Sequence, residues 1–388
     1  MRRVYLDNSA TTRMSDEVRD AMRPYCDEKY GNASSLYARG RESAEAIEKA
    51  REQVAGAIGA DTKEVIFTSG GTEADNIAII GAAHAYREHG DHIITSGIEH
   101  PAVMEAAEHL KLEGFSVTHV PVDKYGILDL DALNGAITAN TILISIMHVN
   151  NEIGTIQPIE EIGKITKENG IVLHSDAVQS FGKIDVNVDR LGVNLLTLSG
   201  HKIHGPKGAG ALFVRKGTKL KALMYGGGQE RGLRSGTENV PAIVGMGQAC
   251  EAAARDLRKN AAHMTRLRDR LLDGIMKEEY VRLNGHRTKR SPNNVNISFH
   301  FIEGESLVLM LDAQGVEAST GSACSSKELQ PSHVLLATGL KPEQAHGSLR
   351  FTNSQYNTEE EIDYVLEILP GITQKLMAMS PLYRPANM

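Results

Sequence analysis

From Val65 to Ser199 the sequence alternates short apolar runs with helix-length stretches, and that rhythm leaves few folds open. Val65–Thr68 reads as a buried strand, after which Ser69-Gly70-Gly71-Thr72-Glu73 opens a helix running to about Arg87. The pattern then repeats. A strand at His92–Thr95 precedes a helix after Pro101, and a strand at Ser116–Pro121 precedes a helix from about Asp129. Ile142–Met147 is followed by a helix after Pro158, and Ile171–Ser175 by further strands at Leu195–Ser199 and Gly210–Val214. Strands separated by helices demand crossover connections, so the expectation is an α/β fold with a mostly parallel, seven-stranded-type sheet flanked by helices.

The rhythm changes after Glu238. A long helical pattern reaches about Met276 with a break near Lys259, and strands at Val295–Phe299, Val316–Thr320 and Leu349–Phe351 suggest a smaller α+β domain. A chain of 388 residues exceeds what one core usually serves. We therefore expect a large domain over 15–257 and a small one built from 1–14 and 258–388. The net charge of −7 gives no footprint for nucleic acid or an anionic membrane. No apolar run reaches the length of a spanning helix, and Met1–Asp7 lacks the apolar core of a secretory signal. Three widely spaced cysteines indicate neither a disulfide framework nor a Cys-rich zinc site, which points to a reducing cytoplasm. Cys26 and Cys250 are expected to be buried small hydrophobes.

In open parallel sheets ligands collect at the carboxyl ends of the strands. Thr72, His100, Asn151, Asp176 and Lys202 each follow a strand end, so one crevice can gather them. Lys202 lies in Ser199-Gly200-His201-Lys202, and Asp176 in His174-Ser175-Asp176-Ala177-Val178-Gln179. A lysine able to form a Schiff base and an acid able to keep a pyridine nitrogen protonated are what a pyridoxal phosphate (PLP) enzyme must supply. Taken singly, they read equally as a surface lysine and a helix cap. Gly71 and Thr72 belong to a glycine turn suited to a phosphate, or to a plain cap with Thr72 at the N-cap. The loop Gly226-Gly227-Gly228-Gln229-Glu230-Arg231, leading to Arg234-Ser235-Gly236-Thr237, is either a second anion site or a subunit contact. His100 is a turn residue or an aromatic plate for a planar cofactor, near enough to relay protons. Asn151 is part of a turn or a hydrogen-bond donor to cofactor or substrate. Arg350, inside an apolar strand, makes a structural ion pair or grips an α-carboxylate with its planar fork. Cys324 sits among small polar residues in Ser319–Ser326, the setting of an exposed nucleophile rather than a packed side chain.

Together these stretches resemble the cysteine desulfurases of the NifS/IscS type, in the aspartate aminotransferase fold group (fold type I PLP enzymes). The likeness runs through residues 5–12, 30–32, 68–76, 99–100, 148–154, 176–179, 199–205, 234–237, 303–306, 321–325 and 345–350. The resemblance implies that Lys202 carries pyridoxal 5′-phosphate and shuttles the Cα proton, that Asp176 pairs with the pyridinium, and that His100 stacks on the ring. It places Gln179 and Asn151 at the ring O3′, and Thr72, Ser199 and His201 at the phosphate, with Thr237 arriving from the second subunit of a homodimer. Arg350, with Asn151, takes the carboxylate of L-cysteine. Cys324 attacks the substrate sulfur and becomes a persulfide, and alanine is released. The implied sulfur acceptor is an iron–sulfur scaffold of the IscU type, on which Cys324 is also a candidate transient cluster ligand. Departures from the family pattern fall at Asn32-Ala33, Tyr37 and Asn353-Ser354-Gln355. A PLP enzyme of another reaction type and a scaffold-binding protein without catalysis are the competing readings.

Overall fold

A computed structural model describes residues 2–321 and 331–383. Its centre is a seven-stranded sheet. From edge to edge the strands are Val65–Thr68, Gly210–Val214, Leu195–Ser199, Val172–Asp176, Thr141–Ser145, His92–Ser96 and Ser116–Val120. All neighbours are parallel except Gly210–Val214, which runs antiparallel to the strands on both sides. The mostly parallel sheet read from the sequence is thus present.

Alternation along each strand feeds two cores. Val65, Phe67, Ile94, Ile144, Leu173 and Leu196 point to one face, against the helices Ala38–Ile58, Ile159–Asn169 and Val240–Arg255. Ile66, Ile93, Leu143, Val172, Leu195 and Leu212 point to the other, against Gly71–Tyr86 and Pro101–Leu112. Burial on both faces is why these strands read as near-continuous apolar runs. Residues at and just beyond their carboxyl ends line one cavity.

A three-stranded antiparallel sheet, in the order Ser348–Thr352, Asn294–Phe299, Val281–Asn284, forms the second layer system. The helices Leu257–Ile275 and Glu359–Met379 supply Leu267, Leu271, Ile362, Val365 and Leu369 to its core. The chain's beginning joins this core: Val4–Tyr5 pairs in parallel with Val316–Glu317, and Val4 and Leu6 are fully enclosed.

Three readings need correction. The break in the long helical pattern falls at Asp256, which caps both Val240–Arg255 and Leu257–Ile275, rather than near Lys259. The strand expected to reach Thr320 ends at Glu317, and Ser319 instead bridges to Arg350. Cys26 is exposed, because its helix, Pro24–Asp27, is a single turn and buries no residue; Cys250 is buried as expected. Among the described residues no helix is long and apolar enough to cross a membrane.

Candidate active site

Ten of the residues singled out from the sequence line one cavity of about 340 Å³: Gly71, Thr72, His100, Asn151, Asp176, Gln179, Ser199, His201, Lys202 and Arg350. All but Arg350, which sits in the middle of the strand Ser348–Thr352, owe their place to a strand end or to the turn or helix start after one. Lys202 closes a single 3-10 turn, Gly200–Lys202, that follows the strand Leu195–Ser199. Its Nζ donates to the carbonyls of Ser9 (2.5 Å) and Ala10 (2.7 Å). The N-terminal segment thereby forms a wall of the site. It is held by Thr12, whose N–H and hydroxyl both donate to the His201 carbonyl.

Asp176 ends the strand Val172–Asp176 and accepts the Val178 N–H at 2.8 Å. Burial raises its pKa, while His100 and Lys202 pull the other way. A buried carboxylate facing a cavity gains most from a cation placed beside it. Asp75, three residues into the helix from Thr72, shares the cavity and is itself fully enclosed. Burial, then the charge of Asp176, drives its pKa well up. A charge on Asp176 thus opposes ionisation of its neighbour Asp75 in this enclosed site.

His100 caps the helix Pro101–Leu112, its Nδ1 accepting the Ala102 N–H at 3.1 Å. That bond assigns the proton to Nε2. Burial, and secondarily Lys202, depresses the imidazole's pKa, so the ring in the cavity is neutral. Also lining the cavity, Gly71 and Thr72 begin a 16-residue helix whose N-terminal N–H groups favour an anion. The N-cap is Gly70, not Thr72, which is the second helical residue. A Cβ on Gly71 would lie 3.0 Å from Val178, so a side chain there would press on the floor of the site. His201, its pKa lowered to about 4 by burial and by Lys202, is a neutral donor or acceptor beside this end.

Arg350 makes the structural ion pair that is one of its two readings. Nη2 pairs with Asp7 at 2.8 Å, Nη1 donates to the Asn151 carbonyl at 2.9 Å, and Nε is buried with no hydrogen-bond partner among the described residues. An orphaned guanidinium nitrogen at a cavity wall leaves donor capacity for an incoming carboxylate.

Thr237 is not brought to this cavity within the chain; it lines a separate one with Ser69, Arg234 and Asn239. The arginines of the glycine-rich loop are engaged inside the chain, Arg234 with Glu73 at 2.8 Å and Arg231 with the Thr62 carbonyl at 3.1 Å. Cys324 lies outside the described residues, and Gly321, three residues before it, lines the cavity. Among the described residues no group of His, Cys, Asp and Glu can hold a metal ion. Sequence reasoning missed Asp75, Lys183 and Glu99. Asp75 had a signal: an acid inside the apolar stripe Ala74, Ala78, Ile79 and Ala82 of one helix.

The donor set fits PLP: an amine, an acid in need of a cation, a neutral ring and a helix N-terminus share one cavity. The aminotransferase class-V family profile matches residues 4–365. A cysteine desulfurase IscS of Methanosarcina thermophila is 55% identical over 379 residues, covering 98% of this chain and 94% of its own. Among solved structures, a NifS-like protein superposes with a TM-score of 0.91 at 41% identity, over 97% of this chain and all of its own (100%). SspA in complex with cysteine does so with a TM-score of 0.81 at 36% identity, over 92% of this chain and 100% of its own.

Proposed function

The chain belongs to the class-V aminotransferase family, as a PLP-dependent cysteine desulfurase of the NifS/IscS type, and we propose that the Lys202 cavity takes sulfur from L-cysteine and leaves L-alanine. The observation that carries this is the convergence of Lys202, Asp176, His100 and Arg350 on one cavity at the carboxyl ends of parallel strands. When bound, the cofactor supplies the electron sink for the substrate's Cα.

The chain's own residues do the rest. Lys202 would hold the cofactor's aldehyde carbon and then move the proton at Cα, its amine kept in place by the Ser9 and Ala10 carbonyls. Asp176 would hold the ring nitrogen's proton, since a buried carboxylate gains most from a cation beside it. His100 would cover the ring, and Gln179 and Asn151 would address its oxygen. Gly71, Thr72, Ser199 and His201 would take the phosphate. Arg350 would grip the substrate carboxylate with Asn151 beside it. The Cys324 thiolate attacks the substrate sulfur: an S–S bond forms, the substrate C–S bond breaks, and its electron pair is protonated on the way to alanine.

A homodimer with Thr237 crossing to the neighbour's phosphate site accounts for that residue's distance from the cavity of its own chain. It is supported by large apolar side chains left exposed on two loops, Leu36 at 90% and Tyr225 at 84%. Persulfide sulfur passes on to an IscU-type scaffold for iron–sulfur assembly in the cytoplasm, and to other thiolation routes.

Purified protein incubated with L-cysteine and a reductant should yield alanine and sulfide in equal amounts. Lys202→Ala should lose the yellow colour and the activity together. Cys324→Ser should keep the colour and its response to cysteine yet deliver no sulfur. Pyruvate and ammonia in place of alanine would refute the reading.

A further inference from the structure

Lys202 borders two cavities. Behind the one already described lies a second, of about 100 Å³, whose lining includes Lys202, Lys183, His204, Asn353 and Gln355. Lys183 follows Gly182, whose φ of +74° and close neighbours Ile203 and Ala253 leave room only for glycine. That turn sends the lysine inward, where it is 5% exposed. Among the described residues no carboxylate pairs with it. Its Nζ donates to Gln179 Oε1 at 3.3 Å, Gln179 Nε2 donates to the Ser9 carbonyl at 2.9 Å, and that same carbonyl accepts Lys202 Nζ.

We propose that Lys183 is a positioning residue for Lys202: through Gln179 and the Ser9 carbonyl it fixes where the Lys202 amine sits, and its own nitrogen weakens Lys202's hold on a proton. The inference rests on the PLP reading of the site. The geometry gives the first half directly. A glutamine amide can point either way, and an amine facing Oε1 leaves Nε2 to donate to Ser9. If the amide turned over, its oxygen would face the Ser9 carbonyl oxygen, and the carbonyl holding Lys202 would lose a donor.

The second half follows from the charges around both amines. Asp176, His100 and His201 face Lys202 from the front cavity. Glu17, Arg255 and Asp256 stand at the rim of the rear one, tied to each other by ion pairs of 3.0 and 2.8 Å. His204, also on the rear cavity, is neutral, its pKa pushed down to about 4 by burial. Lys183 is thus an amine enclosed beside Lys202 with no acid of its own among the described residues. Burial, then the charge of Lys202, lowers its pKa to about 7. Below about pH 7, where Lys183 carries its charge, it repels a proton on Lys202, and Lys202 must be neutral to react with an aldehyde and to take a proton from Cα.

The test is a pH titration of the holoenzyme's visible absorption, which reports protonation of the nitrogen Lys202 contributes. Lys183→Met and Lys183→Gln, checked by circular dichroism and cofactor content, should move the midpoint upward by about half a pH unit or more. The acid limb of kcat/KM should move with it. If Lys183→Met does not fold, Lys183→Gln carries the same test, since it keeps a hydrogen-bond donor and removes the ionisable amine. Folded, cofactor-loaded variants with the wild-type midpoint would overturn the proposal. Wild-type protein with no yellow band at all would instead sink the functional reading, and this inference with it.

Discussion

Glu99 stands one residue before the His100 ring and is fully enclosed, its oxygens accepting the Met147 N–H at 2.9 and 3.1 Å and the Ser96 hydroxyl. Burial pushes its pKa from 4.5 up to about 8, against the pull of those donors and with help from the charge of Asp176. The folded value lies above the unfolded one. Its contribution to stability is therefore whole below about pH 4.5 and is lost as the pH rises toward about 8. Glu99→Gln has nothing to ionise, so the variant should gain on the wild type between about pH 5 and pH 8, read as the difference in Tm at each pH. Parallel pH profiles would show that Glu99 titrates normally. Glu99 shows where sequence reading stops at this scale. Lys202, Asp176 and Arg350 were legible because a cation or acid at a strand end or inside an apolar strand is conspicuous. Glu99 and Lys183 were not, because in sequence they look like any charged residue beside a turn. Only the fold shows that they are sealed.

At the level of elements the antiparallel strand Gly210–Val214 does a particular job. A Cβ on Gly210 would fall 2.7 Å from the Gly70 backbone and 2.8 Å from the Leu198 carbonyl oxygen, so this strand start supports the turn that carries Gly71 and Thr72. Gly210→Ala must displace backbone, and overpacking of this kind costs about 1–3 kcal/mol. The displaced turn should also weaken PLP binding several-fold, measured by cofactor release on dilution. Gly56→Ala is the contrast. It lies in the helix Ala38–Ile58 with nothing within 4 Å of its added methyl, and should stabilise by about 0.5–1 kcal/mol. Equal destabilisation by both would refute this account. The strand ends of the main sheet were readable to within a residue or two, because strands buried on both faces form unbroken apolar runs. The helix Ala38–Ile58 went unread: its core face is largely small, with Ala46, Ala50 and Ala55 between Ile47, Val54 and Ile58, and charged residues fill the gaps. Its spacing was helical all along.

For the whole molecule, we propose that residues 15–257 form one unit and that 1–14 join 258–388 in the other. Val4 and Leu6 sit in the core of the antiparallel sheet, and Asp7 bridges to Thr352, which supports that division. Arg350 links the two by reaching from the small sheet, where it pairs with Asp7, to the Asn151 carbonyl of the larger unit; if it also grips the substrate carboxylate, as we propose, binding and the docking of the small sheet draw on one guanidinium. A dimer adds a further requirement. If Thr237 serves the neighbour's phosphate site, each cleft needs Lys202 from one chain and Thr237 from the other. Lys202→Ala lacks the amine that would link the cofactor and move the Cα proton, and Thr237→Glu would set a negative charge against its phosphate, so each homodimer should be inactive. Unfolded together and refolded, the two should form heterodimers in which one cleft receives an intact Lys202 and an intact Thr237. That cleft should turn over cysteine at the wild-type rate, and the mixture should show activity that neither parent has. If Thr237 serves only its own chain, every cleft retains one lesion and the mixture stays silent.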